Sequence, residues 1–225
     1  MKRVGILFIN SIVAVLGVAG LAAQPSPDQQ LLASQLRINQ EDLQHYTWKS
    51  KYTYTVDGVQ KRVEEYTGKY FTDGTQQMMQ VSGQVDKEKV RLANGKKLSK
   101  KEREAGYAFV MEVKGQLNTY FNPLFAEKAV STATMTTSED ILILKSHDVV
   151  TQGDLVVIHF SLPDLLPKTA VVTTTVEQSP VSLEIEFDTL EIGPSCSKRS
   201  ITTATWQGLN LVITTENSDY QRHKH

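Results

Sequence analysis

The chain has 225 residues, with 24 basic and 25 acidic side chains and a formal net charge of −1. A balance so close to neutral gives no electrostatic case for binding nucleic acid or an anionic membrane surface. A single cysteine, Cys196, excludes a disulfide framework and a thiolate metal cluster, so a domain of this size must be stabilised by its core.

The first 23 residues have the pattern of a secretory signal peptide. A basic start precedes an apolar run over 4–16, and the segment ends in the small residues of GVAGLAAQP. An uncleaved anchor is the alternative, because about 20 apolar residues can span a bilayer. The small-residue end favours cleavage after Ala22 or Ala23, and no cysteine follows for lipid attachment. We therefore expect a soluble periplasmic domain over 24–225, with no stable membrane insertion after cleavage.

The mature chain is predicted to begin with a helix over 27–45, which has a thin stripe of leucines along one side. A strand follows directly in HYTWKSKYTYTV, where Val56 and the aromatic residues take every second position and Ser50 is the one small exception. Its aromatic members are Tyr46, Trp48, Tyr52 and Tyr54. This alternation predicts a strand with one aromatic face and one polar face.

The next residues predict a meander of three strands. The dipeptide DG at 57–58 is a strong hairpin signal, and a return strand runs to Phe71. A second turn, TDGT at 72–75, leads into a third strand over 76–85. A charged stretch over 86–98 then interrupts the sheet, without the composition of a linker between domains.

A second helix is predicted over 100–121. Ser99 and Glu102 form an S-x-x-E capping box at its start, and Asn122-Pro123 marks its end. Residues 124–129 are compatible with a short further helix. The apolar stripe of the second helix contains Tyr107, Val110, Leu117 and either Val113 or Lys114.

Six further strands are predicted between 140 and 221, separated by short turns. The strand that begins at 181 alternates cleanly, with Val181, Leu183, Ile185 and Phe187 on one face. About nine strands are too many to stay flat, so the sheet should curl. The fold class predicted is α+β: a strongly curved antiparallel sheet, or half-open β-barrel, with two main helices packed at its concave side.

This order of elements resembles the outer-membrane lipoprotein-carrier fold, the LolA and LolB type that the N-terminal half of the periplasmic sensor RseB shares. Two stretches are also similar to a family of uncharacterised exported bacterial proteins: LRINQEDLQHYTWKSKYTYTVDGVQK at 36–61 and the tail over 183–222. The resemblance implies a half-open barrel, a periplasmic location, and lipid, lipoprotein acyl chains or an envelope protein as the partner. It implies no catalytic signature.

The sequence predicts no catalytic residue, no metal site and no cofactor. No G-x-S-x-G, H-E-x-x-H, P-loop or G-x-G-x-x-G motif occurs. His147 and Asp148 are adjacent on a strand, so their side chains should point to opposite faces. The thiol of Cys196 lies in a turn-like stretch, where it is either reactive or incidental. An enzyme is the weakest of the functional hypotheses.

Two interpretations of the concave face stay open. Either the helices and the sheet pack into a dry core, or the aromatic strand and the stripe that begins at 181 line an apolar cavity. The first would suit a sensor or interaction protein of the envelope, and the second a carrier that buries an acyl chain or an apolar segment. The candidate ligand-lining residues are Tyr46, Trp48, Tyr52, Tyr54, Val110, Leu117, Leu183, Ile185 and Phe187.

Overall fold

The computed structural model describes residues 26–71, 76–85, 95–120, 123–191 and 193–222. The helices are α1 (Pro27–Leu43), α2 (Lys100–Thr119) and α3 (Pro123–Thr132). The strands are β1 (Tyr46–Val56), β2 (Val59–Tyr70), β3 (Gln76–Val85), β4 (Thr134–Ser138), β5 (Ile141–His147), β6 (Leu155–Ser161), β7 (Leu166–Val176), β8 (Ser179–Thr189), β9 (Ser195–Trp206) and β10 (Leu209–Arg222). The predicted signal peptide lies outside the described residues. Among the helices within them, none is long and apolar enough to cross a membrane.

The ten strands form one antiparallel sheet in the order β3-β2-β1-β10-β9-β8-β7-β6-β5-β4. Because β1 pairs with both β2 and β10, the N-terminal meander joins the C-terminal strand. The outermost strands, β3 and β4, are not paired with each other in the part of the chain that the structure describes, so the sheet curves without closing. The predicted fold class, a curved antiparallel sheet with helices, is confirmed.

The sheet has one strand more than the nine predicted. The additional strand is β4, which follows α3 after a single residue and, within the described ranges, pairs with β5 alone. Its sequence, TMTTS, is polar apart from one methionine, and its side chains are mostly exposed. A short edge strand of this kind has no buried face to impose alternation, which is why the sequence does not reveal it.

Three of the hairpins have two-residue turns in which both residues have positive φ. The pairs are Asp57-Gly58, Glu177-Gln178 and Gln207-Gly208. Positive φ at both positions is the signature of the type I′ turn, whose twist matches that of the flanking strands. These turns fix the register in which β1, β8 and β10 present alternate side chains to the concave face.

Helix α2 packs on the concave face through its buried residues Phe109, Val113 and Leu117. They join a cluster of buried side chains from β7 to β10 that forms the main core. Of the two alternatives in the predicted stripe, Val113 is the buried residue and Lys114 is half-buried. The prediction is wrong for Tyr107, which is 54% exposed. The capping box of Ser99 and Glu102 is present as predicted.

The C-terminal end of α2 is fastened to the turn between β5 and β6. The Tyr120 hydroxyl donates to Asp154 Oδ2 at 2.8 Å. Asp154 is 1% exposed, and its carboxylate also accepts from the backbone N–H groups of Val149, Val150 and Thr151 at 2.7–2.9 Å. A buried carboxylate that is satisfied in this way holds one end of α2 in a fixed place.

Helices α1 and α3 form a second, smaller core with β5 and β6. Leu32 of α1 and Val130 of α3 are fully buried there against Leu142, Leu144 and Phe160. Gln29 links the two helices, since its Nε2 donates to the carbonyls of Val130 and Ala133 at 3.1 and 3.2 Å. The concave face is therefore covered by two helical units, and the space between them is where a site can form.

Candidate functional site

A cleft of about 300 Å³ lies between the sheet, α1 and α2, and it is partly open to solvent. Its apolar and aromatic lining is Ala33, Leu36, Leu43, Trp48, Tyr52, Tyr70, Met78, Leu117, Tyr120, Val156, Ile158, Pro167, Ala170, Val172, Leu183, Ile185, Phe187, Ile213 and Tyr220. Its polar lining is Arg37, Asn39, Gln40, Ser50, Gln76, Lys114, Asn118, Ser195, Ser197, Ser200, Thr202, Thr215 and Asn217. Such a mixture of apolar walls and a few polar groups is typical of a small-ligand site.

The structure brings together six of the nine candidate residues from the sequence. Those that border the cleft are Trp48, Tyr52, Leu117, Leu183, Ile185 and Phe187. The other three lie elsewhere: Tyr54 is buried in the main core, Val110 packs against that core, and Tyr46 is buried near Gly193 and Arg222. Whether any of the nine binds a ligand stays a prediction.

The Trp48 side chain borders the cleft and is held in place by close steric fit. It is 3% exposed, and its ring centroid is 4.8 Å from that of Tyr70 and 5.8 Å from that of Tyr220, with which it stacks. Opposite Trp48 in the register lies Gly68, where a Cβ atom would be 2.4 Å from Trp48 Cε2. Only glycine leaves room for the indole there.

A chain of hydrogen bonds runs along the floor of the cleft beside Trp48. Trp48 Nε1 donates to Ser50 Oγ at 3.0 Å, and Ser50 in turn donates to Asn217 Oδ1. Asn217 Nδ2 and the Tyr220 hydroxyl both donate to the carbonyl of Ser197, at 2.9 and 2.8 Å. Ser50 is small because it lies where the indole N–H needs an acceptor, which explains the exception in the aromatic alternation.

Lys114 projects from α2 over the aromatic residues of β1. Its Nζ donates to the Tyr54 hydroxyl at 2.9 Å and lies 4.5 Å from the centroid of the Tyr52 ring. The rings of Tyr54 and Tyr66 are 5.6 and 6.0 Å from the same nitrogen. Burial lowers the pKa of Lys114, while the nearby charge of Glu64 opposes that shift. The ammonium is thus held in a cage of tyrosine rings at the side of the cleft.

Glu64 is the buried anion behind this cage, with 4% of the residue exposed. Its Oε2 accepts from the Tyr54 hydroxyl at 2.7 Å, and its Oε1 forms an ion pair with Arg62. Burial alone would raise the pKa of Glu64, but hydrogen bonds from Tyr54 and Tyr66 and the charges of Arg62 and Lys114 bring it below its ordinary value. The carboxylate orients the Tyr54 hydroxyl so that its oxygen accepts from Lys114.

These groups are poorly matched to acid–base or nucleophilic catalysis. Burial raises the pKa of Tyr66 to about 12, and the lowered pKa of Glu64 makes it a weak base. Burial also raises the pKa of Cys196, which lies near Tyr220, to about 11, so its thiol is inert. No group of residues able to hold a metal ion occurs in the described ranges. The arrangement favours burial and hydrogen bonding of a ligand.

Sequence reasoning missed several residues of this site. Glu64 is buried and its neighbour Glu65 is exposed on the other face of β2, but the sequence does not show that Glu64 belongs to a charged network. Lys114 was one of two alternatives for the apolar stripe, and it is a cation between rings. The sequence feature that could have indicated them is the tyrosine-rich face of β1, because a buried tyrosine hydroxyl needs hydrogen-bond partners.

Two solved structures are similar to the chain over most of its length. A LolA superfamily protein from Nitrosomonas europaea is 12% identical, with a TM-score of 0.48, and the match covers 88% of this chain and 94% of that chain. A DUF1329 family protein from Desulfovibrio piger is 13% identical, with a TM-score of 0.48, and the match covers 89% of this chain and 94% of that chain. No protein-family model and no curated protein matches the chain. The layout expected from the sequence, an unclosed antiparallel sheet with helices, is present.

Proposed function

We propose that the protein is an exported, periplasmic binding protein of the lipoprotein-carrier type, which holds an acyl chain or an apolar segment in the cleft between α1, α2 and the sheet. The observation that supports this most is the cleft itself: about 300 Å³ of space bordered by aliphatic and aromatic side chains on a face that helices otherwise fill. Export is part of the proposal and rests on the signal-peptide pattern over residues 1–23.

The size of the cleft suits one short chain or part of a longer one. A volume of 300 Å³ corresponds to about ten groups of the size of a water molecule, at ~30 Å³ each. Burial of about ten methylene groups contributes roughly 8 kcal/mol at ~0.8 kcal/mol each. Association loses about 4–15 kcal/mol of translational and rotational freedom. The gain exceeds this loss by at most about 4 kcal/mol, so burial of the chain alone predicts weak, reversible affinity, which suits a protein that must also release its ligand.

The rival is an envelope sensor or interaction protein that has the same fold but carries no ligand. The packed part of the concave face favours it, because α2 buries Phe109 and Val113 in the main core and neither of them lines the cleft. The two functions differ in what happens when the remaining cleft is filled. Carriage requires that space, and interaction through the outside of the molecule does not.

A matched pair of variants on β9 tests the proposal. Ser200 is half-buried and lines the cleft, whereas Thr203 is exposed on the opposite face of the same strand. We expect Ser200→Phe to reduce binding of the uncharged apolar dye N-phenylnaphthylamine at least tenfold, and Thr203→Phe to leave it unchanged. Binding is measured by dye fluorescence, and native mass spectrometry of protein purified from its own envelope shows whether lipid co-purifies.

A wild-type protein that binds neither the dye nor any co-purified lipid would reject carriage and favour the rival. Equal binding by Ser200→Phe and Thr203→Phe would place the dye outside the cleft, with the same consequence. Thermal unfolding of both variants serves as the control that each still folds.

A further inference from the structure

The charges around the cleft all have one sign. Its lining contains two cations, Arg37 and Lys114, and no aspartate or glutamate among the described residues. The chain as a whole carries 25 acidic residues against 24 basic ones, so the excess of positive charge is a local property of the cleft. A site lined in this way attracts an anion and repels a cation.

The two cations are held differently. Arg37 is exposed on α1. Lys114 is half-buried, and its ammonium is fixed by the Tyr54 hydroxyl at 2.9 Å and by the Tyr52 ring at 4.5 Å. A charged donor that is already held in place loses little side-chain entropy when a ligand binds, and its partly desolvated position strengthens the interaction.

Lys114 retains donor capacity toward the cleft. An ammonium group has three N–H donors, and the Tyr54 hydroxyl accepts one of them. The nearby anion, Glu64, accepts a hydrogen bond from the Tyr54 hydroxyl and does not line the cleft. Its charge is shared with Arg62, whose side chain forms an ion pair with it. The cage therefore keeps a net positive charge on the side that faces the ligand space.

Apolar surface adjoins this charge. Leu117 lies one turn further along α2 and borders the cleft, as does the Tyr52 ring beneath the ammonium. A ligand that places a charge at Lys114 can therefore bury a hydrocarbon chain directly beside it.

We infer that the ligand is an anionic amphiphile, a single acyl or alkyl chain with a carboxylate or phosphate head group that accepts a hydrogen bond from Lys114 Nζ. The inference rests on the proposed function, and it adds a head-group preference to the burial of the chain. The carboxylate of a fatty acid and the phosphate of a simple lipid share this chemistry, and the ligands of the test separate them.

Four ligands of equal chain length test the inference: dodecanoate, dodecyl phosphate, dodecanol and dodecylammonium, each below its critical micelle concentration. They compete with N-phenylnaphthylamine for the wild-type protein at a pH well above the pKa of a fatty acid. We expect at least one of the two anions to bind about tenfold more tightly than dodecanol, the size of one charge-assisted hydrogen bond, and dodecylammonium to bind more weakly than dodecanol. The anion with the larger preference identifies the head group.

Three variants locate the head group. Lys114→Met keeps the apolar stem and should bind the anions and dodecanol with equal affinity. Lys114→Arg keeps the charge and should keep the preference. Arg37→Met removes the other cation of the lining and should weaken the preference less than Lys114→Met does, because Arg37 is exposed.

The outcomes separate the two proposals. Equal wild-type affinity for the anions and dodecanol, or an anion preference that survives in Lys114→Met, overturns the head-group inference and leaves the proposed function standing. Failure of all four ligands to bind the wild type overturns the proposed function itself. If Lys114→Met binds nothing because α2 has loosened, Lys114→Arg decides: a retained preference supports the inference, and a lost one overturns it.

Discussion

The two halves of β1 share one alternating sequence pattern but are held in different ways. Around Trp48 the contacts are steric: the indole lies over Gly68 and stacks with Tyr220. Around Tyr54 they are electrostatic, because the hydroxyl joins the anion of Glu64 to the cation of Lys114. One end of the strand therefore depends on shape and the other on charge, although both read as aromatic residues at every second position.

The difference shows that the face of a strand is defined by what the rest of the chain places against it. Tyr220 comes from the C-terminal strand, and Lys114 from a helix some sixty residues away in sequence. The half built on shape borders the cleft directly, and the half built on charge holds the cation of α2 beside it. Substitutions at the Tyr54 end of β1 should therefore alter stability in a way that depends on pH. At the Trp48 end, the effect of a substitution on stability should depend on the volume of the neighbouring side chains.

The largest effect is expected for Trp48→Ala. The side chain is 3% exposed and packs between rings, so its loss should lower the free energy of unfolding by about 3–5 kcal/mol. Urea denaturation measures this, and the loss should be the same at neutral and mildly acidic pH. Lys51→Ala, on the exposed face of the same strand, is the control and should change stability by less than about 0.5 kcal/mol.

A loss below about 1 kcal/mol for Trp48→Ala would mean that the indole is a wall of the cleft and contributes little to the core. Binding of an apolar probe should then weaken instead. The two measurements on Trp48→Ala thus show how much this side chain contributes to stability and how much to ligand binding.

Glu64→Gln is expected to cost about 1.5–3 kcal/mol at neutral pH, because a buried carboxylate that accepts charge-assisted hydrogen bonds is replaced by a neutral amide. The pKa of Glu64 lies below its ordinary value of 4.5 in the folded protein. Its stabilisation is therefore complete above that value and is lost as the pH falls through the lowered pKa. The difference in unfolding free energy between wild type and Glu64→Gln should shrink in that acidic range.

The pH dependence of this difference in unfolding free energy is the more decisive part of the test. A difference that stays constant from neutral to strongly acidic pH would show that the Tyr54 half of β1 depends on shape as the Trp48 half does. Chemical denaturation at a series of pH values gives the profile, and Trp48→Ala serves as the pH-independent reference.

Gly68→Ala should lower the free energy of unfolding by about 1–3 kcal/mol, because the new methyl group would lie 2.4 Å from Trp48 Cε2 and the ring must shift. In a Trp48→Ala background the same change should cost nothing, which a double-mutant cycle measures. Gly83→Ala in β3 is a matched control, since the one close contact of its Cβ, at 2.7 Å, is with the flexible end of Gln80. Equal costs in both backgrounds would show that Gly68 is required for some reason other than the indole.

The smallest effect is expected for Lys114→Met. Loss of a partly exposed cation from the tyrosine rings should cost about 0.5–1 kcal/mol in unfolding free energy, because the methionine keeps the packing of the stem. Thermal or urea unfolding measures it. A loss as large as that of Trp48→Ala would show that the cage is a main support of α2, and the distinction between the two halves would then lose its basis.

The architecture could be predicted from the sequence largely because most strands have a buried face and short, recognisable turns. The type I′ turn at Asp57-Gly58 and the alternation from Val181 to Phe187 are of this kind. The strand β4 could not be predicted, because its exposed edge position imposes no pattern on TMTTS. Local sequence thus predicts elements that bury a face and misses those that only complete an edge.

The site was predicted less completely. The residues that line the cleft from β1 and β8 follow from alternation, but the separation of Tyr52 from Tyr54 does not: Tyr52 borders the cleft, and Tyr54 turns into the core toward Glu64. That division depends on where α2 crosses the sheet and on which helical residue reaches the rings. Periodicity along one element cannot give the position of another element.

The position of the single cysteine has a practical consequence for following motion in this protein. Cys196 is 3% exposed near Tyr220, and burial raises its thiol pKa to about 11, so alkylating reagents cannot reach a reactive thiolate while the structure is closed. Its rate of alkylation is then set by how often this end of β9 opens to solvent. The alkylation rate of Cys196 therefore reports local opening beside the cleft without any added label. A bound ligand that contacts Trp48 and Tyr220 should lower this rate.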